Sequence, residues 1–250
     1  MGLMRRLMAP ITAALRCMGI GVMMGGCISQ TVIPGVVKPR PGESLERIPG
    51  PMPGFGPFLN ASDALIAACP LILGKPHATA GLPGDINFPL RWRISNEYCA
   101  WLYYTPDDRY EMSMLATAAV QDNPGMKRCD LPAWVEDQRY QSEALGYVFL
   151  LHNHPYASEL SDRDLRGVVR MARVHGSWVV KARDREVPIA IIAFFSNSVT
   201  EPVECSGYFQ YIPVTGEIIK WTRTQGGSFA EKNIASVTWI DSDNYRIERR

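Results

Sequence analysis

Tyr147-Val148-Phe149-Leu150-Leu151 is apolar at every position and runs directly into His152-Asn153-His154-Pro155. Such a run, with no polar alternation, describes a strand covered on both faces, so the chain must supply apolar layers on either side of a sheet. Successive side chains of a strand point to opposite faces, which places His152 and His154 on one side of its end. Pro155 has no N–H for a ladder and turns the chain away. Downstream, Leu165, Val168, Val169 and Ala172 recur at helical spacing, with Arg163, Arg166, Arg170 and Arg173 on other faces, and Gly176 stands where that helix should end. Ser161 is its natural N-cap and Asp164 its third residue.

Other elements surround this strand and helix. Ser62 can cap a short apolar helix over 64–68 that Pro70 ends or kinks, and the Gly/Pro-rich stretch 74–90 reads as a long loop. Residues 97–104 have the aromatic content of a strand, and 109–116 can return beside it as a hairpin. Residues 132–145 are polar with weak helical spacing. Strand candidates follow at 177–181 and 187–195, then hairpins over 208–221 and 236–248. Helices early and strands late define an α+β chain, a mixed sheet flanked by helices with an additional C-terminal β-hairpin region. The six tryptophans read as core. His77 falls in the long loop and is expected to be exposed, and His175 is expected to stabilise the helix's C-terminal end.

The N-terminus differs in kind. Residues 1–26 hold three arginines, no acidic residue and six of the 11 methionines. Arg5 and Arg6, then apolar stretches, then Gly25-Gly26 before Cys27 follow the positive, apolar, small order of a secretory signal. Residues 28–58, with seven prolines and five glycines, read as an extended tether, which divides the chain into a signal (1–26), a Pro/Gly-rich tether (27–59) and a globular domain (60–250). Removal of the signal turns the formal charge of +1 slightly negative. Without a Lys/Arg block there is no electrostatic footprint for nucleic acid. Of the six cysteines, Cys17 leaves with the signal. Cys69, Cys99, Cys129 and Cys205 can form two disulfides in an oxidising compartment, in any of three connectivities, or Cys99 can stay a free thiol.

Ser161-x-x-Asp164 taken alone is a capping box, common in helices that do no chemistry. The His-x-His pair changes its meaning: with four histidines in 250 residues such a pair is expected by chance only about 0.06 times. Asp164 also precedes Val168 by one helical turn, so it faces inward, where an unpaired carboxylate is costly and a metal ion supplies the partner.

His152-x-His154-Pro155, a short spacer and Ser161-x-x-Asp164 together resemble the motif of the JAMM metalloproteases, the catalytic branch of the MPN-domain proteins, over about residues 95–175. The resemblance implies a JAMM/cytidine-deaminase-like sheet and one Zn2+ held by His152, His154 and Asp164. It implies Glu97, in Glu97-Tyr98-Cys99-Ala100-Trp101-Leu102, as general base, with Ser161 positioning water and the developing oxyanion. Glu111, Glu136 and Glu143 are poorer fits for the base, and Asp162 is a minor rival of Asp164. Three protein ligands leave zinc an open fourth position, as catalysis requires. The implied reaction is hydrolysis of a peptide or isopeptide bond in a peptide or protein substrate. The alternative is a binding module of an envelope or toxin-associated assembly that keeps the fold without turnover. Met24-Gly25-Gly26-Cys27 likewise resembles a lipobox, which implies lipidation of Cys27, a membrane anchor and a place in the bacterial cell envelope; simple secretion is the other outcome.

Overall fold

The structure, a computed structural model, describes residues 32–118, 127–183 and 185–250. The signal segment and Cys27 lie outside the described residues. The short strands β1 (Val36–Val37) and β2 (Arg47–Gly50) precede helices α1 (Ala61–Leu73) and α2 (Phe88–Ile94). Strands β3 (Cys99–Tyr104), β4 (Tyr110–Met112), β5 (Leu115–Ala116), β6 (Trp134–Asp137) and β7 (Gly146–Asn153) lead to helix α3 (Asp162–His175). The chain continues through β8 (Val179–Ala182), β9 (Arg185–Pro188), β10 (Ala190–Phe195), β11 (Gly207–Ile212), β12 (Glu217–Arg223), β13 (Phe229–Trp239) and β14 (Tyr245–Arg249). Ten of these strands form one sheet in the order β1-β5-β3-β7-β10-β11-β12-β13-β14, with β4 paired to β3. β7 is parallel to β10 and antiparallel to β3, so the sheet is mixed. Two small pairs, β2 with β6 and β8 with β9, stand apart from it.

The apolar run of β7 is covered on both faces. On one side Ala64, Leu65, Ala68 and Ile72 of α1 meet Ala100, Leu102, Leu151 and Ile192. On the other, Leu165, Val168, Val169 and Ala172 of α3 meet Trp101, Leu150, Ile191 and Tyr211. The α3 periodicity therefore translates directly into a buried stripe. The helix opens on the capping box of Ser161 and Asp164 and closes on Gly176, whose φ of 64° is the left-handed conformation that glycine adopts without strain.

Several sequence expectations need correction. Residues 33–59 are not a tether: from Ile33 on they belong to the folded unit. β1 pairs with β5, β2 pairs with β6, and Ile48, Met52 and Phe55 are buried. Proline can sit in such short strands because few ladder bonds are required of it, and the scattered apolar residues between the prolines anchor the segment. The N-cap of α1 is Asn60, whose side chain accepts from the Asp63 N–H, and not Ser62; the helix runs on through Pro70. α2 occupies the end of the expected 74–90 loop, and 132–145 form β6 and a 3-10 turn at Ser142–Ala144 instead of a helix. The expected strand over 187–195 divides into β9 and β10.

His175 is a further correction. It stacks on Tyr147 at 3.9 Å between centroids and meets Trp101 and Trp134 edge-on. Burial lowers its pKa from the ordinary 6.5 to about 4, so near neutral pH it is an uncharged member of an aromatic cluster and not a cation on the helix dipole. Between those two values the unfolded chain binds a proton that the folded chain does not, so this group makes stability rise with pH across that window. His175→Phe keeps the ring packing and is expected to flatten this part of the profile. Melting temperatures from pH 4 to 7 for both proteins measure it, and identical slopes would disprove the assignment.

Candidate metal centre

His152 lies at the end of β7 and His154 just beyond it, and Asp164 comes to meet them from the first turn of α3. Their ligand atoms all lie within 4.8 Å of one another, and the three residues could hold a metal ion. His152 Nε2 is 3.4 Å from Asp164 Oδ1 and His154 Nε2 is 3.5 Å from Asp164 Oδ2. Zinc at about 2.0–2.1 Å from tetrahedrally placed donors separates them by roughly 3.3–3.4 Å; the two histidines stand at about that distance from the carboxylate, each from a different oxygen. Both imidazoles are buried.

Each ligand is oriented differently. Nδ1 of His154 lies 2.8 Å from the Ser158 carbonyl, which can only accept, so Nδ1 carries a hydrogen and Nε2 is the nitrogen turned toward Asp164 and available to a cation. Neither ring nitrogen of His152 makes a well-formed hydrogen bond, although both are out of solvent: the ring has only Asp164 Oδ1 at 3.4 Å and the Ile192 backbone beside it. A buried ring so weakly satisfied calls for an explanation, and an ion between the three side chains would supply one. Ser161 donates to Asp164 Oδ2 through its backbone N–H and its hydroxyl, each at 2.7 Å, which leaves Oδ1 facing His152. The serine hydroxyl is thus committed to holding the carboxylate.

Charges follow from this packing. Burial pushes the His152 pKa down to about 4, against the pull of Asp164. Burial also disfavours the charged form of His154, yet the neighbouring Asp164 and Glu97 raise its pKa overall. Asp164 is itself penalised by burial, but the two histidines and the Ser161 backbone hold it well below the usual carboxylate range. The cluster is therefore built around a permanent carboxylate with one neutral imidazole open to a cation.

Glu97 precedes β3 beside these ligands. Cys99 is opposite His152 in the antiparallel ladder, and Tyr98 and Asn153 are joined by hydrogen bonds through both backbone and side chain. Continuing that register sets Glu97 against His154. Burial raises the Glu97 pKa to about 7, partly offset by His154. The other glutamates are elsewhere: Glu111 is bound by Arg139, whereas Glu136 and Glu143 are exposed. Asp162 is exposed and bound to Arg166 and Tyr245, outside the cluster.

Asn153, the residue between the histidines, was not singled out by sequence. It points to the opposite face, where its amide donates to the Ala78 and Asn96 carbonyls at 2.6 and 3.0 Å and its oxygen accepts the Tyr98 N–H at 2.8 Å. One buried side chain thereby ties the 78–98 segment, and with it Glu97, to the histidine strand. Strand alternation would have placed Asn153 on the buried opposite face, but nothing local names its partners.

The cysteines pair as Cys69–Cys205 and Cys99–Cys129. Cys99 is therefore not a free thiol; its bridge pins the segment around Lys127 beside the site. Two disulfides fit an oxidising, extracytoplasmic compartment. No helix of the described residues is long and apolar enough to cross a membrane. His152, His154, Asp164 and Glu97 open into a cleft of about 1070 Å³, with Trp92 and Lys127 on one side and α3 on another.

Geometry and donor chemistry define a candidate metal centre of the two-histidine, one-carboxylate kind in a mixed α+β fold. Comparison with protein-family models, curated proteins and solved structures finds no match to this chain.

Proposed function

We propose that this chain is a zinc-dependent hydrolase of peptide or isopeptide bonds, of the JAMM kind, anchored through lipidated Cys27 in the bacterial envelope. The observation that carries the proposal is the buried His152–His154–Asp164 cluster, whose His152 ring lacks a well-formed hydrogen bond, opening beside Glu97 into one cleft. His152, His154 and Asp164 would hold the zinc ion, which when bound would supply Lewis acidity toward water and the scissile carbonyl. Glu97, a buried carboxyl set against His154 by the strand register, would take up the proton that water loses and deliver it to the departing amine. Ser161 keeps Asp164 ionised and correctly rotated, a positioning task fulfilled by its two hydrogen bonds to Oδ2. Asn153 holds Glu97 against the histidine strand.

A second reading, a binding module that holds metal without turnover, draws support from the same Ser161 geometry, because a hydroxyl donating to Asp164 is not aimed at a substrate oxyanion. Metal analysis by mass spectrometry, joined to a peptide-library assay, separates the two. The hydrolase is expected to carry one zinc per chain and to cleave, and His152→Ala is expected to lose both. Stoichiometric zinc with no cleavage of any peptide would overturn the hydrolase in favour of the binding module.

A further inference from the structure

The face of α3 that lines the cleft presents Arg163, Gly167 and Arg170, one helical turn apart in sequence. Most acidic groups around the cleft are already engaged: Asp162 with Arg166 at 2.8 Å, Glu159 with Arg249 at 2.7 Å, Asp130 with Arg128 at 3.7 Å and Glu43 with Arg40 at 3.8 Å. Among the described residues, Arg163 and Arg170 make no hydrogen bond or salt bridge; Arg163, like Lys127, interacts with Glu97 through its field. Lys127 adds a third positive charge across the cleft, its ammonium donating to the Arg93 carbonyl at 2.9 Å. A divalent cation on the cluster would balance Asp164 and Glu97, leaving these three cations as the excess charge. A glycine inside a helix is destabilising by roughly 0.5–1 kcal/mol relative to alanine, yet Gly167 sits between the two arginines with nothing within 4 Å of where a Cβ would stand. The bare backbone keeps the wall open between two guanidinium groups.

We infer that this α3 wall is a carboxylate-binding subsite, and that the substrate is a peptide bearing a free carboxylate near the bond to be cut. The inference rests on the proposed hydrolase in placing that bond at the cluster. Arg170 lies about 9 Å along the helix from Asp164 at roughly 1.5 Å per residue, which an extended peptide spans in about three residues. The carboxylate therefore belongs within about three residues of the scissile amide, where guanidinium can hold it with two parallel hydrogen bonds.

Binding tests this separately from hydrolysis. Fluorescein-Gly-Ala-Ala-Glu with free carboxylates, and its amidated Gln counterpart, are titrated by fluorescence polarisation into the zinc-loaded full chain. The free acid is expected to bind about 10- to 100-fold more tightly than the amide, and Arg163→Ala/Arg170→Ala is expected to erase the difference while the melting temperature holds. Arg163→Glu/Arg170→Glu should favour a Lys-terminated amide instead. Equal affinity for acid and amide, or no measurable binding of either, would overturn the subsite. Binding of the acid by a chain that cleaves no peptide of the library would overturn the hydrolase and leave the subsite standing, and cleavage indifferent to the carboxylate would do the reverse.

Discussion

Glu97→Gln is expected to retain zinc at the wild-type stoichiometry and to lose about 10²- to 10⁴-fold in turnover, the range for removing a positioned general acid–base. The separation of the two readouts follows from the geometry. His152, His154 and Asp164 are the residues that could hold the ion, and Glu97 is not among them. Glutamine preserves the shape of the side chain and removes only its capacity to take a proton. Burial disfavours the charged form of this carboxyl in the metal-free chain, and its place against His154 sets it beside the cluster. His152→Ala should fail earlier, by losing the metal. The informative measurement is therefore zinc content and kcat on the same Glu97→Gln preparation. Undiminished kcat would remove Glu97 from the mechanism, and loss of zinc would show it to be a ligand.

Much of this site was legible in the sequence because its parts obey short-range rules. The spacing of His152 and His154 on a strand, and of Ser161 and Asp164 at a helix start, fixes which side each faces before any tertiary contact exists. The alternation that aims the histidines at α3 also aims Asn153 at Ala78 and Asn96, but those partners are far away in sequence and belong to a stretch with no pattern of its own. Residues 33–59 failed for the complementary reason. Their prolines and glycines outweigh the few apolar side chains, and composition cannot register that Ile48, Met52 and Phe55 each find a buried place. His175 shows the same blindness at a single position: its place at a helix end suggests a cation, whereas Tyr147 and Trp134, brought in by other elements, make its charged form unfavourable. Cysteine pairing is nonlocal in principle, and only the fold chose among the three connectivities.

That pairing produces the largest expected effect on stability. Cys69 lies in α1 and Cys205 just before β11, both buried, and their bridge closes a separation of 136 residues. Chain entropy alone assigns such a loop roughly 5 kcal/mol, and at roughly 2–4 °C per kcal/mol for a domain of this size, Cys69→Ala/Cys205→Ala is expected to melt about 10–20 °C below wild type. The Cys99–Cys129 bridge spans 30 residues, for which the same relation gives roughly 3.6 kcal/mol, so its removal should lower the melting temperature less. Its effect on chemistry should be the greater one, because Cys99 stands opposite His152 and Cys129 carries the Lys127 side of the cleft. Melting temperature and zinc affinity, measured on both double variants, are expected to rank them in opposite orders. A Cys69→Ala/Cys205→Ala protein that melts within about 2 °C of wild type would contradict the loop-entropy argument, and weaker zinc binding in that variant than in Cys99→Ala/Cys129→Ala would contradict the division of labour between the two bridges.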